Sequence, residues 1–385
     1  MKLGYLGKYL AASLLGLSIA SPAIAQQGPV TIIGLVELSG TGTTAGTNFD
    51  NGVKLAVKEI NAAGGILGRK IEYTSMDTQS APQTAKALAQ KAVDQNAYIV
   101  MGPVFSGSIN VSMGETKRAE ISNFTGGEAA NITQQGNPYI FRTSFTQSTA
   151  MPKVARYLKD QVKAKTVSVL WVNNDFGKGG RDSIIKALEA EGIKVAADIS
   201  TDPGQIDFSG PVLKAKQSNA DALFVYTNEE ESARCLRELK KQGYDKPIVG
   251  ETTLTGQKVI ELAGDAANGA VAHVGLTVDA PQPAIKAFDQ KFQAEYKYKS
   301  DHNGMKGYSG MYVVKAITEK IGKFDSKAFA KALHGATIYV KDTPGVLLNV
   351  HFDDNGDLDR ESFLVKVVGG QQVVTATLPP LTPIK

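Results

Sequence analysis

The chain has 385 residues, with 42 Lys and Arg against 38 Asp and Glu, a formal charge of +4, and 42% hydrophobic residues. So small a balance, with no clustered Lys and Arg, argues against a nucleic-acid groove or an attraction to membrane surfaces. A single cysteine, Cys235, excludes a disulfide framework and a cysteine metal cluster.

Residues 1–25 read as a removable export signal. Lys2 and Lys8 give a positive start, residues 10–20 are apolar, and Ala23-Ile24-Ala25 offers small residues for cleavage. No cysteine stands there to carry a lipid, so the mature protein is expected to be soluble and extracytoplasmic, exported through this N-terminal signal. Removing two lysines takes +4 to +2 and leaves 360 residues, a length that suits two domains.

Strands and helices then alternate. The apolar run 30–36 predicts a strand, and Phe49, Val53, Ala56, Val57 and Ile60 share one helical face. Thr47 is placed to cap that helix and Gly64-Gly65 to end it. A strand at 71–76, a helix from Pro82 and strands at 98–101 and 121–124 follow. A second series begins after Arg142-Thr143-Ser144, with strands at 166–172, 194–199, 222–226 and 247–249. Helices from Gly177, Phe208, Glu230 and Gln257 separate them. Two such series predict an α/β chain with two lobes of helix-covered parallel sheet. In the last third, helices at 283–298 and 306–321 are followed by strands at 346–352 and 363–368. Helices without strands between them imply that the chain returns to its first lobe, which makes a multi-stranded hinge.

Enzyme and metal signatures are weak. Residues 40–46 do not form a G-x-G-x-x-G, and no serine lies in a G-x-S-x-G elbow. His273, His302, His334 and His351 lack metal-ligand spacing. Residues 353–359 look like a calcium loop, but Leu358 stands where its glycine belongs, and Asn355-Gly356 reads as a hairpin turn. The expectation is therefore no enzyme, no cofactor and no metal. An exported amide or ester hydrolase is the enzyme alternative.

Ser106 follows the strand at 98–101 and the Gly102-Pro103 turn, where a helix begins. Open α/β sheets bind ligands at the carboxyl ends of their strands, and helix N-termini there offer N–H groups to anions. Ser106 is thus a candidate contact for a ligand carboxylate, or with Ser108 only a cap.

Several segments carry a specific resemblance: Leu38-Ser39-Gly40, Asn51-Gly52, residues 59–69, Gly102-Pro103, residues 137–143, residues 176–179, residues 262–269 and residues 352–357. In order and spacing the chain resembles the periplasmic solute-binding proteins of branched-chain (leucine/isoleucine/valine) amino acid ABC transporters. The resemblance implies the type I periplasmic-binding-protein fold, two doubly wound parallel-sheet lobes joined by a three-crossover hinge. The crossovers fall near residues 143–147, 274–277 and 347–350. Residues 28–145 plus 276–348 would form lobe one, and 146–275 plus 349–385 lobe two.

It also implies an importer receptor that binds an amino acid or related small carboxylate between closing lobes, acts as a monomer and delivers to ABC permease subunits in the inner membrane. Besides Ser106, a second carboxylate contact falls to Thr125 or the backbone at Gly127, in a loop about two residues longer than the family pattern. Glu128 is either a pocket residue or a solvated helix start. Glu251 best matches the family's acceptor for an α-ammonium, while Glu229 and Glu230 open a neighbouring helix at the cleft. Phe176 matches an aromatic wall position, and Tyr308 lies on the helix that returns to lobe one. Two departures favour a more polar or larger ligand: Thr43, Thr44 and Ala45 replace a large aromatic, and Asn228-Glu229 stand where apolar residues are common. An aromatic carboxylic acid receptor and a ligand sensor for a signalling system are the alternatives.

Overall fold

The computed structural model describes Met1 and residues 28–381, so the expected export signal beyond Met1 lies outside the described residues. Among them no helix is long and apolar enough to cross a membrane.

The first series runs β1 (Val30–Val36), α1 (Thr43–Ala62), β2 (Ile71–Asp77), α2 (Pro82–Asp94), β3 (Ile99–Met101), α3 (Ser106–Arg118), β4 (Ser122–Thr125) and β5 (Ile140–Arg142). The second runs α4 (Gln147–Tyr157), β6 (Thr166–Val172), α5 (Asp175–Ala190), β7 (Lys194–Thr201), α6 (Ser209–Gln217), β8 (Ala222–Tyr226), α7 (Glu229–Lys241), β9 (Ile248–Glu251), α8 (Gln257–Ala263) and β10 (Val271–Val274). The remainder is α9 (Pro283–Tyr296), α10 (His302–Ile321), α11 (Ser326–Leu333), β11 (Thr337–Ile338), β12 (Val350–Phe352), β13 (Leu358–Asp359), β14 (Ser362–Val368) and β15 (Gln371–Leu378).

Five strands form an all-parallel sheet in the order β2-β1-β3-β4-β5. A second sheet has the order β15-β14-β10-β9-β8-β6-β7, parallel from β10 to β7, with β14 and β15 added antiparallel. Strands covered on both faces read as continuous apolar runs, as β1, β3 and β8 do. Helix α10 returns to the first sheet and crosses α1 at glycines. A Cβ on Gly52 would stand 1.9 Å from the Gly304 carbonyl oxygen, and one on Gly307 2.1 Å from that of Phe49. This close approach fixes the N-terminus of α10 beside the strand ends of the first sheet.

The structure adds to the sequence reading and corrects it in places. Helix α1 begins at Thr43, so Thr47 lies inside it and does not cap it. Helix α10 begins at His302, four residues before the expected start, where the Asp301 carboxylate accepts the N–H groups of Asn303 and Gly304 at 2.8 and 3.2 Å. The short strands β5 and β10, the helices α4 and α11 and the edge strand β15 were not expected. The expected strand at 346–352 is a 3-10 turn at Pro344–Val346 and only three residues of strand. Strands β12 and β13 pair with β11 around a turn at Gly356, whose φ is +83°, as expected of Asn355-Gly356. Phe352 packs on Phe124 and Phe141 of the first sheet. The third passage between the sheets therefore lies between β13 and β14, later than 347–350.

Candidate functional site

A cavity of ≈ 220 Å³ lies between the two sheets. Its walls come from segments that follow the carboxyl ends of strands. Thr41 and Ala45 follow β1, Ser80 and Pro82 β2, Val104 to Ser108 β3, and Gly126 to Glu128 β4. From the second sheet, Asn174 and Phe176 follow β6, Pro203 β7, Asn228 and Glu229 β8, and Thr253 β9. His302, Asn303 and Lys306 from the first turns of α10 complete it. This is where open α/β sheets bind ligands.

One end suits an anion. The buried Glu37 carboxylate accepts the N–H groups of Val104 and Phe105 at 3.1 and 3.0 Å, which fixes the turn before α3. Burial pushes the Glu37 carboxyl up to about 7. Helix α3 has no side-chain cap, so its first amides, at Ser106, Gly107 and Ser108, face the cavity. Ser106 Oγ accepts Ala129 N at 3.3 Å, and Thr125 Oγ1 accepts Gly127 N at 3.1 Å. A Cβ on Gly127 would stand 2.3 Å from Ile109 Cδ1, so a larger residue here would displace that side chain.

Beside it lies a buried ion pair. Lys306 Nζ is 2.9 Å from Glu128 Oε1, which also accepts the Ser144 hydroxyl at 3.1 Å. The Tyr226 hydroxyl donates to Glu128 Oε2 at 3.2 Å from the other sheet. Gln147 Nε2 donates to the Tyr226 oxygen and the Phe176 carbonyl at 3.0 and 2.7 Å, and Phe176 stacks on Tyr226 with ring centroids 4.2 Å apart. Burial and the neighbouring Glu251 raise the Glu128 carboxyl, against the pull of Lys306.

Across the cavity, Glu229 opens α7. It is 4% exposed and accepts a hydrogen bond from Asn303 Nδ2 at 3.4 Å. Burial first, then the charges of Asp301 and Glu230, push its carboxyl up to about 8. Asp301, also buried, rises to about 6. Among the described residues neither Glu229 nor Asp301 forms an ion pair.

Of the residues expected in the site, Ser106, Gly127, Glu128, Phe176, Asn228 and Glu229 line the cavity, and three do not. Thr125 is buried in β4 and supports the Gly127 turn. Glu251 sits behind the wall, accepting Thr252 Oγ1 at 2.5 Å with His273 Nδ1 at 3.2 Å. Burial pushes the His273 imidazole down to about 3, so it is neutral and the contact is a hydrogen bond, not an ion pair. Tyr308 is placed elsewhere: its hydroxyl donates to Glu59 at 2.8 Å and its ring packs on Phe288 and Tyr312. The sequence reading missed Lys306, His302, Asn303, Thr253 and Phe105. A helix start at Asp301, legible as an N-cap aspartate, would have brought the first three forward.

Contacts also bridge the cleft mouth. Thr44 Oγ1 donates to Glu230 Oε1 at 2.6 Å, and Asn110 Nδ2 to Asp175 Oδ2 at 2.8 Å. The structure is thus a closed arrangement of the two sheets.

Residues 29–372 match the family model described as periplasmic binding protein. The leucine-, isoleucine-, valine-, threonine- and alanine-binding protein of Pseudomonas aeruginosa is 27% identical, over 94% of this chain and 92% of that protein. Among solved structures, LivJ of Streptococcus pneumoniae, a branched-chain amino acid transporter substrate-binding protein in complex with isoleucine, superposes with a TM-score of 0.81 at 24% identity, covering 92% of this chain and 100% of that one. An ABC-transporter solute-binding protein of Rhodopseudomonas palustris in complex with 3,4-dihydroxybenzoic acid gives 0.83 at 21%, covering 92% and 98%.

Proposed function

The chain belongs to the periplasmic binding protein family, and from that premise we propose that it binds an amino acid between two closing lobes as the extracytoplasmic receptor of an ABC importer. The lobes are built on the five- and seven-stranded sheets, with boundaries near 145, 275 and 360. The protein acts as a monomer, without covalent chemistry, and hands its ligand to permease subunits in the inner membrane. Export by the signal at residues 1–25 places it in the periplasm.

One observation carries the choice of an amino acid: the uncapped N-terminus of α3 faces, across one cavity, a buried Glu229 that has no ion pair among the described residues. A carboxylate suits the first and an ammonium the second. In this reading Ser106, Ser108 and the first amides of α3 hold the carboxylate, and Glu229 takes the ammonium role that the family resemblance gave to Glu251. Lys306, the only Lys or Arg on the cavity wall among the described residues, is already matched by Glu128.

The second reading, an aromatic carboxylate, draws support from Phe105 and Phe176 on opposite walls and from the dihydroxybenzoate-bound relative. Isothermal titration with L-amino acids and with benzoates separates the two. Heat with amino acids and none with benzoates supports the first reading, and the reverse overturns it.

A further inference from the structure

We propose that the ligand is an amino acid whose side chain carries an uncharged hydrogen-bonding group, a hydroxyl or a carboxamide, recognised by Thr253 and His302. The inference rests on the amino-acid reading of the same cavity and adds to it the chemistry of the side chain.

Two hydroxyls on the cavity wall, Ser108 at 1% exposure and Thr253 at 7%, are buried with no hydrogen-bond partner among the described residues. The His302 imidazole, at 5% exposure on the same wall, likewise makes no hydrogen bond among them. Buried polar groups in native proteins are almost always paired, so each such group calls for a partner that the site is built to receive. Ser108 belongs to the start of α3 and is accounted for by the ligand carboxylate. Thr253 and His302 are not. They come from different sheets: Thr253 from the turn after β9 and His302 from the first residue of α10.

His302 also borders a void of ≈ 20 Å³ that it shares with Thr252, which places the ring beside the Thr252–Thr253 turn. Burial and the nearby Lys306 keep the imidazole neutral, so it carries one donor and one acceptor nitrogen. A hydroxyl also donates and accepts. Together they match a ligand group that does both, as a hydroxyl or carboxamide does. An aliphatic side chain would leave both unpaired inside a closed cleft, and sites of this kind discriminate strongly against the analogue that lacks the polar group.

The test is a set of near-isosteric ligand pairs, threonine against valine and asparagine or glutamine against leucine. Affinities are measured by titration calorimetry on the wild type, Thr253→Val, Thr253→Ser and His302→Phe, with a melting curve for each variant. At least one polar member should bind about tenfold or more tighter than its aliphatic partner. Thr253→Val should lower that ratio, Thr253→Ser should restore it, and the affinity for the aliphatic member should hold or rise. Valine or leucine binding as tightly as its partner overturns the side-chain assignment and leaves the amino-acid reading standing. Failure of every amino acid to bind overturns both. A variant with a collapsed melting curve is set aside, and the wild-type ratios then decide.

Discussion

Lys306 and Glu128 lie 178 residues apart in the chain and meet at 2.9 Å, both buried, where α10 crosses the loop after β4. The pair joins the returning helix to the loop that carries Gly127, and Tyr226 reaches the same carboxylate from the other sheet. One bridge thus fixes a wall of the cavity and touches both halves of the molecule.

Breaking the pair from the lysine side leaves a buried carboxylate without its counter-charge. Removing one member of such a pair typically costs about 3–5 kcal/mol. Lys306→Met is therefore expected to lower unfolding stability at pH 7 by an amount in that range, read from urea denaturation. The Glu128 carboxyl, raised by burial, escapes the penalty by taking up a proton. The loss should therefore shrink toward pH 5, and an equal loss at both pH values would count against the ion-pair account.

Glu229 ties stability to pH in a stated direction. Its folded pKa of about 8 lies above the ordinary 4.5. Across that interval the unfolded chain has released the proton and the folded chain keeps it, so stability falls as pH rises and levels off above about 8. Glu229→Gln should flatten this slope in ligand-free protein. It should also weaken amino-acid binding by about 2 kcal/mol or more, because an ammonium loses its charged acceptor. A slope that survives the substitution would assign it to other groups, with Asp301 first among them.

Ligand binding should release protons. An ammonium docking on a carboxyl that is largely protonated at pH 7 stabilises its ionised form and expels the proton into solution. Titration calorimetry in buffers of different ionisation enthalpy should give an apparent heat that depends on the buffer near pH 7. The dependence should fade above pH 9. Heats that match in every buffer at pH 7 would remove Glu229 from the ammonium site.

The alternation of elements and the two-sheet plan were legible because buried parallel strands are nearly all apolar and helices show one apolar face. Of the elements that escaped, the strands β5 and β10 are too short for a period to appear. β5 and β10 have three and four residues, and each is defined by pairing with a distant strand. Ser106 is readable from its place after a strand, whereas Gly127 enters only through the family resemblance, as an alternative to Thr125. Glu251 was chosen over Glu229 by position in a pattern, but the β9 strand ends with that carboxylate turned toward Thr252 and His273. Which of two nearby acids faces a cavity depends on packing between sheets, and no local pattern encodes it. Lys306 was hidden for the same reason, being on a helix whose start was placed four residues late.

Arg142 is fully buried at the end of β5 and gathers the loop after β4. It donates to the carbonyls of Gly127 at 2.8 Å and Ala129 at 2.7 Å and to Thr133 Oγ1 at 3.1 Å, and it pairs with Asp357. A lysine supplies one ammonium where the guanidinium supplies a fork of donors. Arg142→Lys should therefore lower the melting temperature and weaken ligand binding about tenfold, since the displaced loop carries Gly127 and Glu128. Asp357→Asn, which keeps the guanidinium on the loop carbonyls, should have the smaller effect on affinity. The reverse order would show that the loop is held by other contacts.

Closure has its own contacts, separable from those of the ligand. Asn110 on α3 donates to Asp175 on α5 at 2.8 Å across the cleft mouth, outside the cavity wall. Such a bond exists only when the lobes are together, so it stabilises the closed form relative to the open one without touching the ligand. A hydrogen bond to a charged acceptor near the surface contributes about 1 kcal/mol, which corresponds to a few-fold change in the closed population. Asn110→Ala should therefore raise Kd about three- to tenfold. Because the ligand first meets the open cleft, the association rate should stay nearly constant and the dissociation rate should rise. Stopped-flow fluorescence separates the two rates: Trp171 is the single tryptophan and lies on β6 of the second sheet. A variant that associates more slowly and dissociates at the wild-type rate would place Asn110 in ligand capture, not in closure.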